Sequence, residues 1–566
     1  MKVVIVGGVA GGATAAARLR RLDEHAQIIV FERSGYVSYA NCGLPYYIGG
    51  TIADPEALTL QTPESFRARF NVDMRVNHEA TALDVQAKTV TVKNLVTGEV
   101  FKESYDKLIL SPGAKPTQPR LPGVGLEHVF TLRTVEDTFR MKDFIDAHHP
   151  HTAVIAGGGF IGLELAENMC EIGMEVTIVQ RPQQLMKPFD PDMAAFIHAE
   201  ARKHGIKLAL GHTVEGFRET GDGVEMLLAD TDPIPADMVV LAIGVTPDTH
   251  LASEAGLAMG VRGSILVNDH METSAPDVYA VGDAVQVKHL VTGEETLISL
   301  AGPANKQGRI AADNICGIPS TYRGSQGSSV IKVFDITAAS TGVNETVAKT
   351  AGLAVDHVIL SPMSHAGYYP GGKLMTMKVV FEKETYRLLG AQIVGYEGVD
   401  KRIDVLATAI FAGLRATDLK DLDLAYAPPY SSAKDPVNMA GFMIENIEEG
   451  IVKQWYLGQL EELQDRSARG EITLLDVRTP AEIALGHISG FVNIPLDSLR
   501  ERVGELDREK PVYVICQSGL RSYVACRILA GNDFDAYNFA GGFRYFETVV
   551  RDRALIEAAF PCGADQ

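Results

Sequence analysis

Two cysteines stand in settings that can do sulfur chemistry. Cys42 lies in Val37-Ser38-Tyr39-Ala40-Asn41-Cys42-Gly43-Leu44-Pro45-Tyr46, with no second cysteine nearby in the chain. Asn41 is placed to cap a helix whose first turn begins at Cys42. Free N–H groups and a positive dipole end would then hold the thiolate, the reactive form of cysteine, for thiol–disulfide exchange. Without such a setting, a cysteine is more often a small core residue. Cys516 ends the apolar run Val512–Ile515 and opens the six-residue loop Cys516-Gln517-Ser518-Gly519-Leu520-Arg521 before a helix from Ser522. That loop rings the sulfur with backbone N–H groups, and Arg521 adds positive charge, a nest suited to an anionic persulfide. Cys170, Cys316, Cys526 and Cys562 have no comparable setting and read as structural thiols.

The elements that position Cys42 are two dinucleotide-binding units. In the first, an apolar strand at 3–6 turns through Gly7-Gly8-Val9-Ala10-Gly11-Gly12 into an alanine-rich helix, and a second strand, 27–31, ends at Glu32. The glycines let the backbone approach a pyrophosphate at the helix N-terminus, and Glu32 can accept from ribose hydroxyls. Val9 stands where the G-x-G-x-x-G pattern has its second glycine. The second unit runs from a strand at 152–156 through the full fingerprint Gly157-Gly158-Gly159-Phe160-Ile161-Gly162 and Glu164 to a strand at 175–179. That strand ends in Gln180-Arg181 rather than an acid. A single arginine is little to hold a 2′-phosphate, so NADH is expected ahead of NADPH.

Three further segments carry a resemblance. Asp277-Val278-Tyr279-Ala280-Val281-Gly282-Asp283 resembles the second flavin fingerprint of the FAD-dependent pyridine nucleotide-disulfide oxidoreductases, which implies that Asp283 holds the ribityl chain. Tyr105–Ala114 resembles that family's crossover into the nicotinamide domain, and Leu241–Pro247 its return. The resemblance implies FAD, with Arg33, Asn41, Ala80, Ser111, Gly113 and Ala301 among its contacts, and NADH or NADPH with Gly244 among its own.

No C-x-x-x-x-C pair surrounds Cys42, and Ser38–Tyr46 resembles the coenzyme A-disulfide reductase signature, with Tyr39 and Gly43 as departures. The likeness implies paired tyrosines near the redox sulfur, carried over to Tyr368 and Tyr426 as hydrogen-bond donors or proton sources for a departing thiolate. It further implies that Tyr426 reaches the flavin site of a partner subunit. Arg18 and Arg21, three apart on one helix face, can point at one anion. By resemblance Thr14, Ser38, Asn41, Asn305 and Lys434 join a coenzyme A site, while that family's lysine near position 70 is replaced by Phe70 with Arg69 adjacent. After the segment 446–465, which holds the only tryptophan, Asp476-Val477-Arg478, Gly486-His487-Ile488 and the Cys516 loop make residues 466–562 resemble a rhodanese domain.

The expected fold is α/β: two Rossmann-like dinucleotide-binding domains, for FAD (1–112 and 276–320) and NAD(P)H (113–275), an α+β dimerisation domain (321–445), a connector (446–465) and a C-terminal α/β rhodanese domain (466–566). A formal net charge of −20 over 566 residues argues against nucleic-acid or anionic-membrane partners. Six cysteines without a C-x-x-C pair make neither a disulfide framework nor a metal site, and no apolar run has membrane length, so a cytoplasmic protein is expected, and the resemblance implies a homodimer. Such fusions resemble NAD(P)H-dependent reductases of persulfides and polysulfides, with coenzyme A persulfide or coenzyme A disulfide as substrates and coenzyme A tightly bound. The alternatives are an NADH oxidase or peroxidase cycling a Cys42 sulfenic acid, and a sulfur carrier or redox-sensing module.

Overall fold

The computed structural model describes residues 1–559 apart from 222 and 230, so Cys562 lies outside the described residues. The chain forms two units, Met1–Met186 with His204–Gly327, and Lys187–Lys203 with Ser328 to the C-terminus. Among the described residues no helix is long and apolar enough to cross a membrane.

In the first unit, strand Lys2–Val6 is apolar because both its faces are covered, with Val3, Val4 and Ile5 fully buried. It is the middle strand of a parallel sheet in the order Val278–Ala280, Lys107–Leu110, Lys2–Val6, Gln27–Phe31, Asp73–Arg75, in which Ile5 pairs with both Val30 and Ile109. Helix Ala10–Leu22 buries small residues, so it packs closely on helix Ala301–Ile315. A second parallel sheet has the order Lys207–Leu210, Glu175–Gln180, Thr152–Ala156, Met238–Leu241, Val129–Thr131. Each sheet therefore has its fingerprint loop at the C-terminal end of its middle strand, where the strand order reverses and open α/β sheets bind ligands.

The second unit contains an antiparallel sheet in the order Ser329–Val333, Ile336–Gly342, Leu388–Gly395, Met375–Glu382, Val355–Leu360. Helix Val399–Ala412 ends where Gly413 takes the left-handed conformation (φ 73°). Beyond it lies a parallel sheet in the order Lys453–Trp455, Ala536–Phe539, Val512–Ile515, Thr473–Asp476, Val492–Asn493.

Residues 446–465, read from sequence as a connector, hold the end of helix Pro436–Glu448, an edge strand of that last sheet and the start of helix Leu460–Ala468. Trp455 is fully buried and its indole N–H donates to the Val514 carbonyl at 3.2 Å. Its core also includes Ala195 and Ile359, so helix Pro191–Lys203 and the antiparallel sheet share packing with the C-terminal domain. A buried ion cluster reinforces that junction. The Lys378 ammonium lies 3.0 Å from Asp190, 2.8 Å from Asp192 and 3.0 Å from Glu345, and the Tyr545 hydroxyl donates to Asp192 at 2.7 Å. Burial alone would drive the Lys378 proton off, but the three carboxylates hold it on.

Candidate functional site

Cys42 lies in a 3-10 turn, Asn41–Gly43, leading into the short helix Leu44–Ile48, and its thiol is free and exposed. The expected cap is absent. Asn41 is the first residue of the turn rather than its cap, Ala40 takes that place without a side-chain hydrogen bond, and the following helix is capped from Gly43. The sulfur thus precedes the helix instead of sitting in its first turn. Packed neighbours push the Cys42 thiol pKa up, Glu164 adds to that, and Arg133 opposes it. The sequence expectation of a dipole-stabilised thiolate is therefore corrected.

Glu164, on helix Phe160–Glu171, is itself pushed up to about 7 by burial and then by Glu167, against a hydrogen bond from Tyr46. Tyr46 lies on the helix just after Cys42, so a carboxyl poised near neutrality is tied to the segment that carries the thiol.

The two fingerprint loops have the geometry a pyrophosphate needs. Gly7 (φ 99°) and Gly157 (φ 115°) are left-handed, and a Cβ there would lie 2.0 Å from the Ser111 carbonyl oxygen and 2.3 Å from that of Ala242. Val9 and Gly159 occupy the equivalent N-cap positions with φ of −102° and −88°, which any residue adopts, so valine is tolerated where the pattern has glycine. Glu32 accepts from the Gly8 amide at 2.8 Å, and Gln180 from the Gly158 amide at 3.2 Å, so each second strand presents its terminal side chain to its own loop. Gly8, Ala10, Gly11 and Gly12 lie on or beside the first loop and Phe160, Ile161 and Gly162 on the second.

The other expected nucleotide contacts surround these loops. Ser111 and Gly113 follow strand Lys107–Leu110, Ala80 sits at a bulge in strand His78–Asp84, and Ala301 opens helix Ala301–Ile315. Gly244, also left-handed, accepts from the Thr117 amide. Two carry ion pairs: Asp283 accepts from Arg133 at 2.7 Å, and Arg33 donates to Asp248 at 2.7 Å. Arg133 was not anticipated, because nothing in its local sequence marks a partner 150 residues away.

A cleft of about 280 Å³ lies beside the first helix, lined by Thr14, Arg21, Ser38, Gln61, Phe66 and Arg69 among others. It gathers several residues expected to hold coenzyme A. The Thr14 hydroxyl also bonds the Asn305 side chain. Arg18 does not line the cleft; its guanidinium is tied to Asp313 at 2.7 Å. Arg69 does, so the position beside Phe70 supplies a cation. Lys434 is exposed and belongs to the second unit.

In the second unit the hydroxyls of Tyr368 and Tyr426 lie 2.7 Å apart, both exposed. Cys516 is fully buried at the end of strand Val512–Ile515, and its sulfur accepts from the Gly519 amide at 3.1 Å and the Ser522 hydroxyl at 3.2 Å. Arg521 forms a two-pronged pair with Glu482, at 2.8 and 2.5 Å, instead of aiming its donors at the sulfur. Its charge still lies close enough to interact with Cys516. Beneath the loop the buried Arg478–Asp476 pair closes at 2.8 Å, with the Phe543 ring 3.7 Å from the Arg478 guanidinium carbon. Burial pushes the Cys526 thiol up to about 12.

Comparison with known proteins accords with this geometry. Residues 1–308 match the pyridine nucleotide-disulphide oxidoreductase family, 328–436 its dimerisation domain, and 459–548 the rhodanese-like domain. The chain is 35% identical over 449 residues to a coenzyme A disulfide reductase of Staphylococcus haemolyticus, covering 79% of this chain and 100% of that protein. It is 48% identical to the reduced Bacillus anthracis CoADR-RHD crystal structure, with a TM-score of 0.94 and 98% of both chains covered. A NAD-dependent persulfide reductase from A. fulgidus is 37% identical, with a TM-score of 0.91 and 96% and 100% covered. The fold implies FAD and NAD(P)H, and the dimerisation domain supports a homodimer. The chain belongs to the pyridine nucleotide-disulphide oxidoreductases, carrying a rhodanese-like domain at its C-terminal end.

Proposed function

We propose that this protein uses NAD(P)H to reduce persulfides and polysulfides, coenzyme A persulfide among them, and also coenzyme A disulfide, through Cys42, with Cys516 handling sulfane sulfur. The observation that carries the reading is the placement of Cys42. It is free, exposed and close in sequence to Ser38, a lining residue of a cleft flanked by Arg21 and Arg69. Two arginines beside an apolar wall formed by Ala13, Ala17 and Phe66 suit a phosphorylated carrier with a long uncharged arm. The names of the relatives, a coenzyme A disulfide reductase and a persulfide reductase, support the same substrates.

In this reading the Cys42 thiolate attacks the carbon-bearing sulfur of a coenzyme A persulfide. The S–S bond breaks, HS⁻ leaves, and a mixed disulfide between Cys42 and coenzyme A remains. FAD held at the Gly7–Gly12 loop and Glu32 would supply the two electrons, drawn from the nicotinamide, that reduce that disulfide. Cys42 leaves this cleavage as thiolate, and the Tyr368–Tyr426 pair gives a proton to the departing coenzyme A sulfur. Cys516 holds sulfane sulfur in a pocket whose donors, the Gly519 amide and the Ser522 hydroxyl, stabilise negative charge on sulfur.

Steady-state oxidation of NADH and of NADPH is measured with coenzyme A disulfide, coenzyme A persulfide, polysulfide, hydrogen peroxide and oxygen. The expected order puts the sulfur acceptors first and NADH ahead of NADPH. Higher kcat/KM for peroxide or oxygen would assign an oxidase or peroxidase, and no turnover with any acceptor would leave a carrier or sensor.

A further inference from the structure

Arg544 is held against the Cys516 loop without a use of its own there. Helix Gly542–Ala559 starts pressed onto that loop: a Cβ on Gly542 would lie 2.7 Å from the Gln517 carbonyl oxygen and 2.6 Å from the Ser518 nitrogen. The Phe543 amide donates to the Cys516 carbonyl at 2.7 Å and the Arg544 amide to that of Gln517 at 3.2 Å, which fixes the Arg544 backbone beside the residue after Cys516. Its guanidinium is different from its neighbours. Arg478 pairs with Asp476 and Arg521 with Glu482, whereas the Arg544 Nη1 is buried without a hydrogen-bond partner and no carboxylate pairs with it among the described residues. Burial lowers its pKa, opposed only by the phenol of Tyr396. Lys373 lies 6.0 Å from the Tyr396 ring centre, so a second cation stands on the same patch.

A buried donor left unpaired is destabilising, the more so when charged, a cost that an anion docked on it removes. We propose that Arg544, with Tyr396 beside it, is an anion-binding site on the rim of the Cys516 loop that takes the acidic group of the thiol whose persulfide loads Cys516. The proposal rests on the sulfane-sulfur role given to Cys516 above. In the step it serves, the Cys516 thiolate attacks the terminal sulfur of R–S–SH. That S–S bond breaks, its electron pair leaves on R–S⁻, and Cys516 becomes Cys516–S–SH. Arg544 touches only the acidic group on R, so it sets donor affinity rather than the rate of sulfur transfer.

The test uses full-length protein carrying Cys42→Ser and two donors matched in size, the persulfides of 3-mercaptopropionate and of 3-mercaptopropanol. Loading is read as one added sulfur by intact mass across donor concentrations. The acidic donor is expected to half-load Cys516 at about tenfold lower concentration than the neutral one. Arg544→Gln removes that preference by weakening the acidic donor alone, and Arg544→Lys restores part of it. An equal loss with both donors, or no change with either, overturns the site. Should neither donor load Cys516 without any Arg544 substitution, the sulfane-sulfur role itself falls, and the site with it.

Discussion

The Tyr368 hydroxyl lies 2.7 Å from that of Tyr426, 58 residues on, bringing two proline-flanked segments to one point. One phenol can donate to the other and keep a proton to give away. The bond to Tyr368 raises the Tyr426 pKa, so its proton persists to higher pH than that of a lone tyrosine. Tyr426→Phe is expected to lower kcat with coenzyme A disulfide about tenfold to a hundredfold. Tyr368→Phe should move the alkaline limb of the kcat–pH profile to lower pH, and the double variant should cost less than the product of the singles. A profile unchanged by Tyr368→Phe would separate the pair from the chemistry.

Glu164 sets a stability limit as well as a charge. Burial holds its pKa at about 7, above the ordinary 4.5, so the folded protein binds its proton more tightly than the unfolded chain. The associated stability is complete below about pH 4.5 and is lost as pH rises through about 7. Glu164→Gln is therefore expected to match the parent in thermal unfolding at about pH 4 and to exceed it at pH 8, by at most about 3 kcal/mol.

Arg21 and Arg69 line the cleft, while Arg18 is committed to Asp313. Arg21→Ala and Arg69→Ala should each raise KM for coenzyme A disulfide about fivefold to tenfold, with kcat nearly unchanged and the effect shrinking at high salt. Arg18→Ala should act mainly on stability, because it leaves the buried Asp313 carboxylate with a weaker set of partners.

Much of this was legible in the sequence because certain positions allow few residues. Gly7 and Gly157 need left-handed backbone, and the strands they end are buried on both faces, so fingerprints and apolar runs marked both nucleotide units. What stayed hidden depends on partners distant in the chain. Asn41 has the right type for a cap, but the turn begins one residue early. Arg18 has the right spacing for an anion site, but Asp313 claims it. Trp455 sits in a charged, helix-prone stretch, yet edge pairing with Ala536–Phe539 buries it. Lys378 lies in a mostly apolar, buried strand, and nothing local announces its three carboxylates.

Cys526 shares the Cys516 core, where burial pushes its thiol up. With its thiol pushed up to about 12, it carries almost no thiolate at pH 8. Iodoacetamide at that pH should leave it unmodified in the folded protein, and Cys526→Ala should load sulfur at Cys516 as the parent does. Modification of Cys526 before Cys42 under native conditions would contradict this.

Cys42 is the sulfur through which electrons are proposed to leave the protein. The direct measurement is NADH oxidation with coenzyme A disulfide and with coenzyme A persulfide, comparing parent, Cys42→Ser and Cys516→Ser, each with flavin bound. Cys42→Ser should lose turnover with both acceptors by at least about a thousandfold while its flavin is still bleached by NADH. Cys516→Ser should keep coenzyme A disulfide reduction intact. Persulfide-dependent NADH oxidation that survives Cys42→Ser undiminished would contradict the account.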